Sequence, residues 1–128
     1  MPSTRIETRV GWIAHRRQEV IEAVQAALRD GLQIPEWDRC VRLTEYEHDA
    51  FIVPPGKGSS YTLVEVTLFS GRSLDAKRRL YRSMVEQLGR LDVPASDIKI
   101  TLIEVPPENW GIHGTPASEV DLGFKIDV

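Results

Sequence analysis

The sequence predicts an α/β fold of the α+β kind: a tandem βαβ repeat forming a four-stranded mixed sheet with two helices on one face. Three observations predict it. Residues 62–104 read as a complete strand, helix and strand, from the β-branched run Thr62-Leu63-Val64-Glu65-Val66-Thr67-Leu68-Phe69 to the alternating Ile98-Lys99-Ile100-Thr101-Leu102-Ile103-Glu104. The same outline recurs in the first half, where Gly11-Trp12 answers Gly71-Arg72 and Pro35-Glu36-Trp37-Asp38 answers Pro94-Ala95-Ser96-Asp97. The 128 residues, 41% of them hydrophobic, suffice for one core and are too few for two ordinary domains. One domain over 1–128 is expected, with repeat one at 2–46, a connecting loop at 47–61, repeat two at 62–104 and a tail at 105–128.

Ser3 to Arg9 suits a short strand with one wet face, because Thr4, Ile6, Thr8 and Val10 fall on one side. From Ile13 to about Asp30, Ile13, Val20, Ile21, Val24, Ala27 and Leu28 form a helical stripe, with His15, Arg16, Arg17, Glu19 and Glu22 facing water. Gly31 is the expected helix stop. Arg39 to Tyr46 reads as the second strand, with Val41, Leu43 and Glu45 on one face. His48 to Tyr61 is long for a connection and reads as a site wall or a mobile linker. Its Lys57 reads as a solvated loop lysine, the alternative being contact with an anionic ligand.

After Ser70-Gly71-Arg72, Ser73 is the expected N-cap and Asp75 favours the helix dipole. Leu74, Tyr81, Met84, Val85 and Leu88 then fall at helical spacing, until Gly89 weakens the end. The tail is apolar and punctuated by glycine, the pattern of a segment that finishes its packing on another subunit.

The net charge is −3 and the basic residues are interspersed with acids, which argues against nucleic acid or an anionic membrane as partner. No apolar run approaches the roughly 20 residues of a membrane span, and no signal-peptide core is visible, so a cytoplasmic protein is expected. Cys40 is the sole cysteine; it allows no disulfide framework and is expected to be an inert thiol buried in a strand. There is no Walker loop, dinucleotide fingerprint, nucleophile elbow or metal-binding cluster. The expected chemistry therefore uses no cofactor and no metal, and needs few groups.

Met1-Pro2, the Ser70-Gly71-Arg72-Ser73 turn and the Asn109-Trp110-Gly111-Ile112-His113-Gly114 segment together resemble the tautomerase superfamily. Its members, with the 4-oxalocrotonate tautomerase-like fold, are built of βαβ units and begin, after loss of the initiator methionine, with a catalytic proline. The two-repeat length is similar to the malonate semialdehyde decarboxylase branch. The resemblance implies that Pro2 is the catalytic amine and that Arg72 binds a substrate carboxylate or stabilises enolate charge. It implies an apolar pocket wall of Trp110 and Ile112, with Phe124 as a third member. Asp38 matches in place the aspartate that the decarboxylase branch sets beside its proline. A turn-capping role explains both Asp38 and Asp97 without chemistry, and the two readings stay open. Some decarboxylases of the branch carry a second arginine where this chain has Ser70-Gly71. His113 has no placed partner and reads as a bystander.

An α-amine titrates near pH 8, lowered by burial and cations and raised by a carboxylate, so one prolyl nitrogen can serve as base or acid. As a base it would move a proton between carbon and oxygen of a 2-oxo or enol carboxylic acid. As an acid it would suit decarboxylation or hydration of a 3-oxo acid. The expected protein is thus a tautomerase-like enzyme acting on a small carboxylate as a homotrimer. The alternatives are a malonate semialdehyde decarboxylase-type enzyme and a non-catalytic trimeric binding protein of the same fold.

Overall fold

The computed structural model describes residues 2–126 and 128. Met1, whose removal the resemblance implies, and Asp127 lie outside the described residues. Strand β1 (Ser3–Arg9), helix α1 (Arg17–Leu32) and strand β2 (Val41–Tyr46) form the first unit; β3 (Thr62–Phe69), α2 (Leu74–Gly89) and β4 (Ile98–Val105) form the second. Each unit pairs its own strands in parallel, as a helical crossover permits, and β1 joins β3 antiparallel in the centre. The sheet order is β2-β1-β3-β4.

Alternation along the strands decides which face is covered. Ile6, Val64, Val66 and Leu68, with Val41, Leu43, Ile98, Ile100 and Leu102, point at Val20, Val24, Ala27 and Leu28 of α1 and Leu80, Met84 and Leu88 of α2. The opposite face carries Arg5, Glu7, Arg42, Thr44, Glu65, Thr67, Lys99 and Thr101, with Leu63 and Ile103 as apolar exceptions. Arg5 meets Glu65 across the strands at 3.7 Å, and the Tyr46 hydroxyl donates to Glu7. Among the described residues no helix is long and apolar enough to cross a membrane.

Helix α1 differs from the expected span at both ends. Ile13 is fully buried but lies before the helix, because Ala14 adopts φ 52° and breaks the turn. At the other end α1 runs through Gly31, and Gln33 at φ 54° caps it by donating its N–H to the Arg29 carbonyl. Gly31 serves closeness instead: a Cβ there would sit 2.5 Å from Leu80 Cα. In α2 the Ser73 hydroxyl accepts the Ala76 N–H at 3.0 Å, as an N-cap should. The buried row is Ala76, Leu80, Met84 and Leu88. Leu74 and Tyr81 fall off that four-residue row and are exposed.

The connecting loop is tied down. Arg9 Nε donates to the Phe51 carbonyl at 2.7 Å, and the Phe51 ring meets Tyr46 and Tyr61 edge-on. Lys57 Nζ donates to the Ser96 carbonyl at 2.7 Å, so this lysine braces a turn. Cys40 is exposed, contrary to expectation: β2 begins one residue later, and Cys40 contributes its carbonyl to the Thr4 N–H. After β4 the tail forms a small hairpin, β5 (Gly111–Ile112) with β6 (Thr115–Pro116), then returns so that Ile126 faces Gly71.

Candidate active site

The strand register brings the ends of three strands together. Ser3 stands opposite Thr67, and the Thr4 N–H bonds the Cys40 carbonyl at 2.9 Å. Pro2, one step earlier and buried, therefore lies between the end of β3 and the residues that lead into β2. Among those residues is Asp38, 5% exposed, whose N–H closes a turn on the Pro35 carbonyl and whose own carbonyl accepts Gln25 Nε2 at 3.1 Å.

Arg72 arrives from the other side. Gly71, at φ 112°, reverses the chain after β3, and the Arg72 side chain runs inward until it is only 6% exposed. Its Nη1 donates to the carbonyl of Leu32 at the end of α1 and, at 3.4 Å, to that of Lys125 in the tail. Its Nε is buried without a hydrogen-bond partner among the described residues. Burial pulls the guanidinium below its ordinary pKa; Asp38 opposes that shift and Arg79 adds to it. This is a buried cation within the field of a buried carboxylate. It is not the solvated arginine of an ordinary helix start.

The three expected wall residues divide. Trp110 packs on Phe69, ring centroids 4.9 Å apart, and donates its indole N–H to the Val105 carbonyl. Ile112 lines a cleft of about 170 Å³ with Trp37, His113, Val120, Asp121 and Leu122. Phe124 meets Trp37 edge-on at 6.4 Å, next to that cleft. Trp37 was not singled out from sequence, although a large aromatic beside a candidate acid in an exposed turn is a signal. Arg79 was not either; in a helix with Lys77 and Arg78 beside it, it reads as solvated charge.

A family model described as tautomerase enzyme matches residues 38–113, more than half of the chain. The chain belongs to the tautomerase family. A probable tautomerase of Ralstonia nicotianae is 35% identical over 57 residues, which are 44% of this chain and 81% of that protein. The 2-hydroxymuconate tautomerase of Pseudomonas putida is 32% identical over 60 residues, 46% of this chain and 95% of that one. Among solved structures, FG41 malonate semialdehyde decarboxylase inhibited by 3-bromopropiolate superposes with TM-score 0.76 at 26% identity, covering 91% of this chain and 92% of the other. Native fused 4-OT superposes with TM-score 0.82, covering 95% and 99%; at 23% identity it speaks for the tautomerase fold alone. The tautomerase-like enzyme class thus stands on the family match and the sequence relatives, and the two-helix mixed sheet on the superposition.

Proposed function

We propose that this tautomerase transfers a proton on a small 2-oxo or enol carboxylic acid, with the Pro2 nitrogen as the proton carrier once Met1 has been removed. The neutral prolyl nitrogen takes the enol O–H proton and delivers a proton to the adjacent carbon, leaving the 2-oxo acid. Arg72 holds the substrate carboxylate, and Trp110, Ile112 and Phe124 contribute its apolar surroundings. The observation that carries the reading is Arg72 itself: one nitrogen is fixed on the Leu32 carbonyl, while the buried Nε has no acceptor among the described residues. An orphan donor on a buried cation is costly, and an incoming carboxylate relieves that cost.

Decarboxylation or hydration of a 3-oxo acid is the second reading. It is supported by the burial of Asp38 in the turn that leads into β2, since a carboxylate beside the prolyl nitrogen would raise that amine's pKa and keep it protonated. A homotrimer belongs to the proposal: related fused 4-OT proteins are solved as symmetric and asymmetric trimers, and Trp37 and Ile103 stand exposed here. The test is incubation of the purified protein with a panel of enol acids, 3-oxo acids and acetylenic acids, beside Pro2→Ala and Arg72→Ala. Turnover abolished by both substitutions supports the site. Turnover indifferent to both, or none with any panel member, defeats it.

A further inference from the structure

The C-terminus of α1 is held by two arginines. Arg79 Nη2 donates to the Gly31 carbonyl at 3.2 Å, one residue before the Leu32 carbonyl that takes Arg72 Nη1. The last carbonyls of a helix lack partners within it and carry its negative pole, so two guanidinium groups there are firmly held. The crossing at this point is tight, since Gly31 lies on Leu80, the residue after Arg79. Arg72 and Arg79 each also bury an Nε without a partner among the described residues.

We propose that Arg79 is a positioning residue for Arg72: by fixing the Gly31–Leu32 end of α1, it fixes the carbonyl that aims the Arg72 guanidinium at the substrate carboxylate. The inference rests on the reading that Arg72 binds that carboxylate. Carboxylate recognition by a planar fork depends on alignment, and a displaced Leu32 carbonyl rotates the fork away from it. Arg79 has its own Nη2 committed to Gly31, and its charge also repels Arg72 directly; Arg79→Lys keeps a charge there, so it separates the helix-end route from the direct one.

The experiment is calorimetric titration of the full chain with phenylpyruvate and with its uncharged methyl ester, for the unaltered protein, Arg72→Ala, Arg79→Met, Arg79→Lys and the double variant Arg72→Ala/Arg79→Met. Arg79→Met should weaken acid binding about tenfold, the scale of one misaligned hydrogen bond, and leave ester binding unchanged. Arg79→Lys, a charge without the planar fork, should weaken it roughly twofold to threefold. The double variant should bind no worse than Arg72→Ala, because both changes act on one contact. A merely structural role lowers the melting temperature without separating acid from ester. If Arg79→Met does not fold, Arg79→Lys decides, and unchanged acid binding in it overturns the proposal. Binding sensitive to Arg72→Ala but indifferent to the folded Arg79 variants, or additive losses in the double variant, overturns this proposal alone. Binding absent, or unaffected by Arg72→Ala, overturns the site reading and this inference with it.

Discussion

At the entry to β2 the turn Pro35–Asp38 closes through the Asp38 N–H on the Pro35 carbonyl, and at the entry to β4 the turn Pro94–Asp97 closes the same way. The two carboxylates meet different company. Asp97, 3% exposed, accepts the Gly58 N–H at 2.9 Å on one oxygen and the Ser60 hydroxyl at 3.1 Å on the other. Asp38 lies in the field of the buried Arg72. The turns after β1 and β3 diverge in parallel. Beyond Gly11, Trp12 donates to the Thr8 hydroxyl at 2.8 Å, which donates on to the Tyr61 carbonyl. Beyond Gly71, Arg72 reaches across to α1. The backbone geometry is duplicated, while the partners of the buried polar groups differ. Where a loop satisfies a carboxylate on both oxygens, that carboxylate is a staple for the loop. Where a buried cation keeps a donor with no partner among the described residues, as Arg72 does, a ligand would have something to bind.

The largest effects should separate the two units by chemistry. Pro2→Ala should lower kcat by about 10²–10⁴, the usual worth of a positioned proton carrier, while Thr62→Ser, on the second unit's first strand, should leave kcat per folded molecule within about twofold. Steady-state rates normalised to folded protein check this, and equal losses at both positions would remove the asymmetry. Arg72→Ala should follow, costing about 10²–10³ in kcat/KM for an acid substrate. Trp12→Phe should lower the melting temperature and spare kcat/KM, since its indole N–H serves a hydroxyl within the fold.

The aspartates give the next contrast. Asp97→Ala strands the Gly58 N–H and the Ser60 hydroxyl, and should cost about 1–3 kcal/mol in denaturant unfolding with the rate per folded molecule intact. Asp38→Asn should instead change the pH profile. If Asp38 raises the Pro2 pKa, removing its charge lowers that pKa, so the basic form persists to lower pH and the acidic limb of a tautomerisation profile moves down. A profile that stays in place, with a stability loss of about 0.5–2 kcal/mol, would make Asp38 a turn cap like its counterpart.

Much of this architecture was legible because the strands signal themselves locally. Thr62–Phe69 and Ser3–Arg9 show their buried faces by alternation, and Ser73 shows its cap by residue type. What stayed illegible depends on contacts distant in sequence. Gly31 resembles a helix stop, yet its partner is Leu80. Cys40 looked like a strand residue, but the strand starts at Val41. For the candidate site, the resemblance named Pro2, Arg72 and Asp38 as candidates. The seat of Arg72 was not, because it is built from a helix-end carbonyl and from the returning tail at Lys125, neither of which a local pattern encodes.

The smallest contrast lies in the two helix-end glycines. Gly31 of α1 has no room for a side chain, since its Cβ would fall within 2.5 Å of Leu80 Cα and Cβ and within 2.7 Å of Leu80 N. Gly31→Ala must push the helices apart where Gly31 lies on Leu80, so a loss of about 1–3 kcal/mol is expected, together with weaker carboxylate binding because the Leu32 carbonyl moves with it. Gly89 closes α2 with nothing within 4 Å of the place a methyl group would take, and its φ lies outside the left-handed range. Alanine there keeps the helix, restricts the unfolded chain and touches nothing. Gly89→Ala should therefore stabilise the fold by about 0.5–1 kcal/mol and leave binding unchanged. Urea midpoints of the two variants decide the matter: a loss at Gly89, or none at Gly31, would mean that the helix ends differ in some way other than closeness of approach.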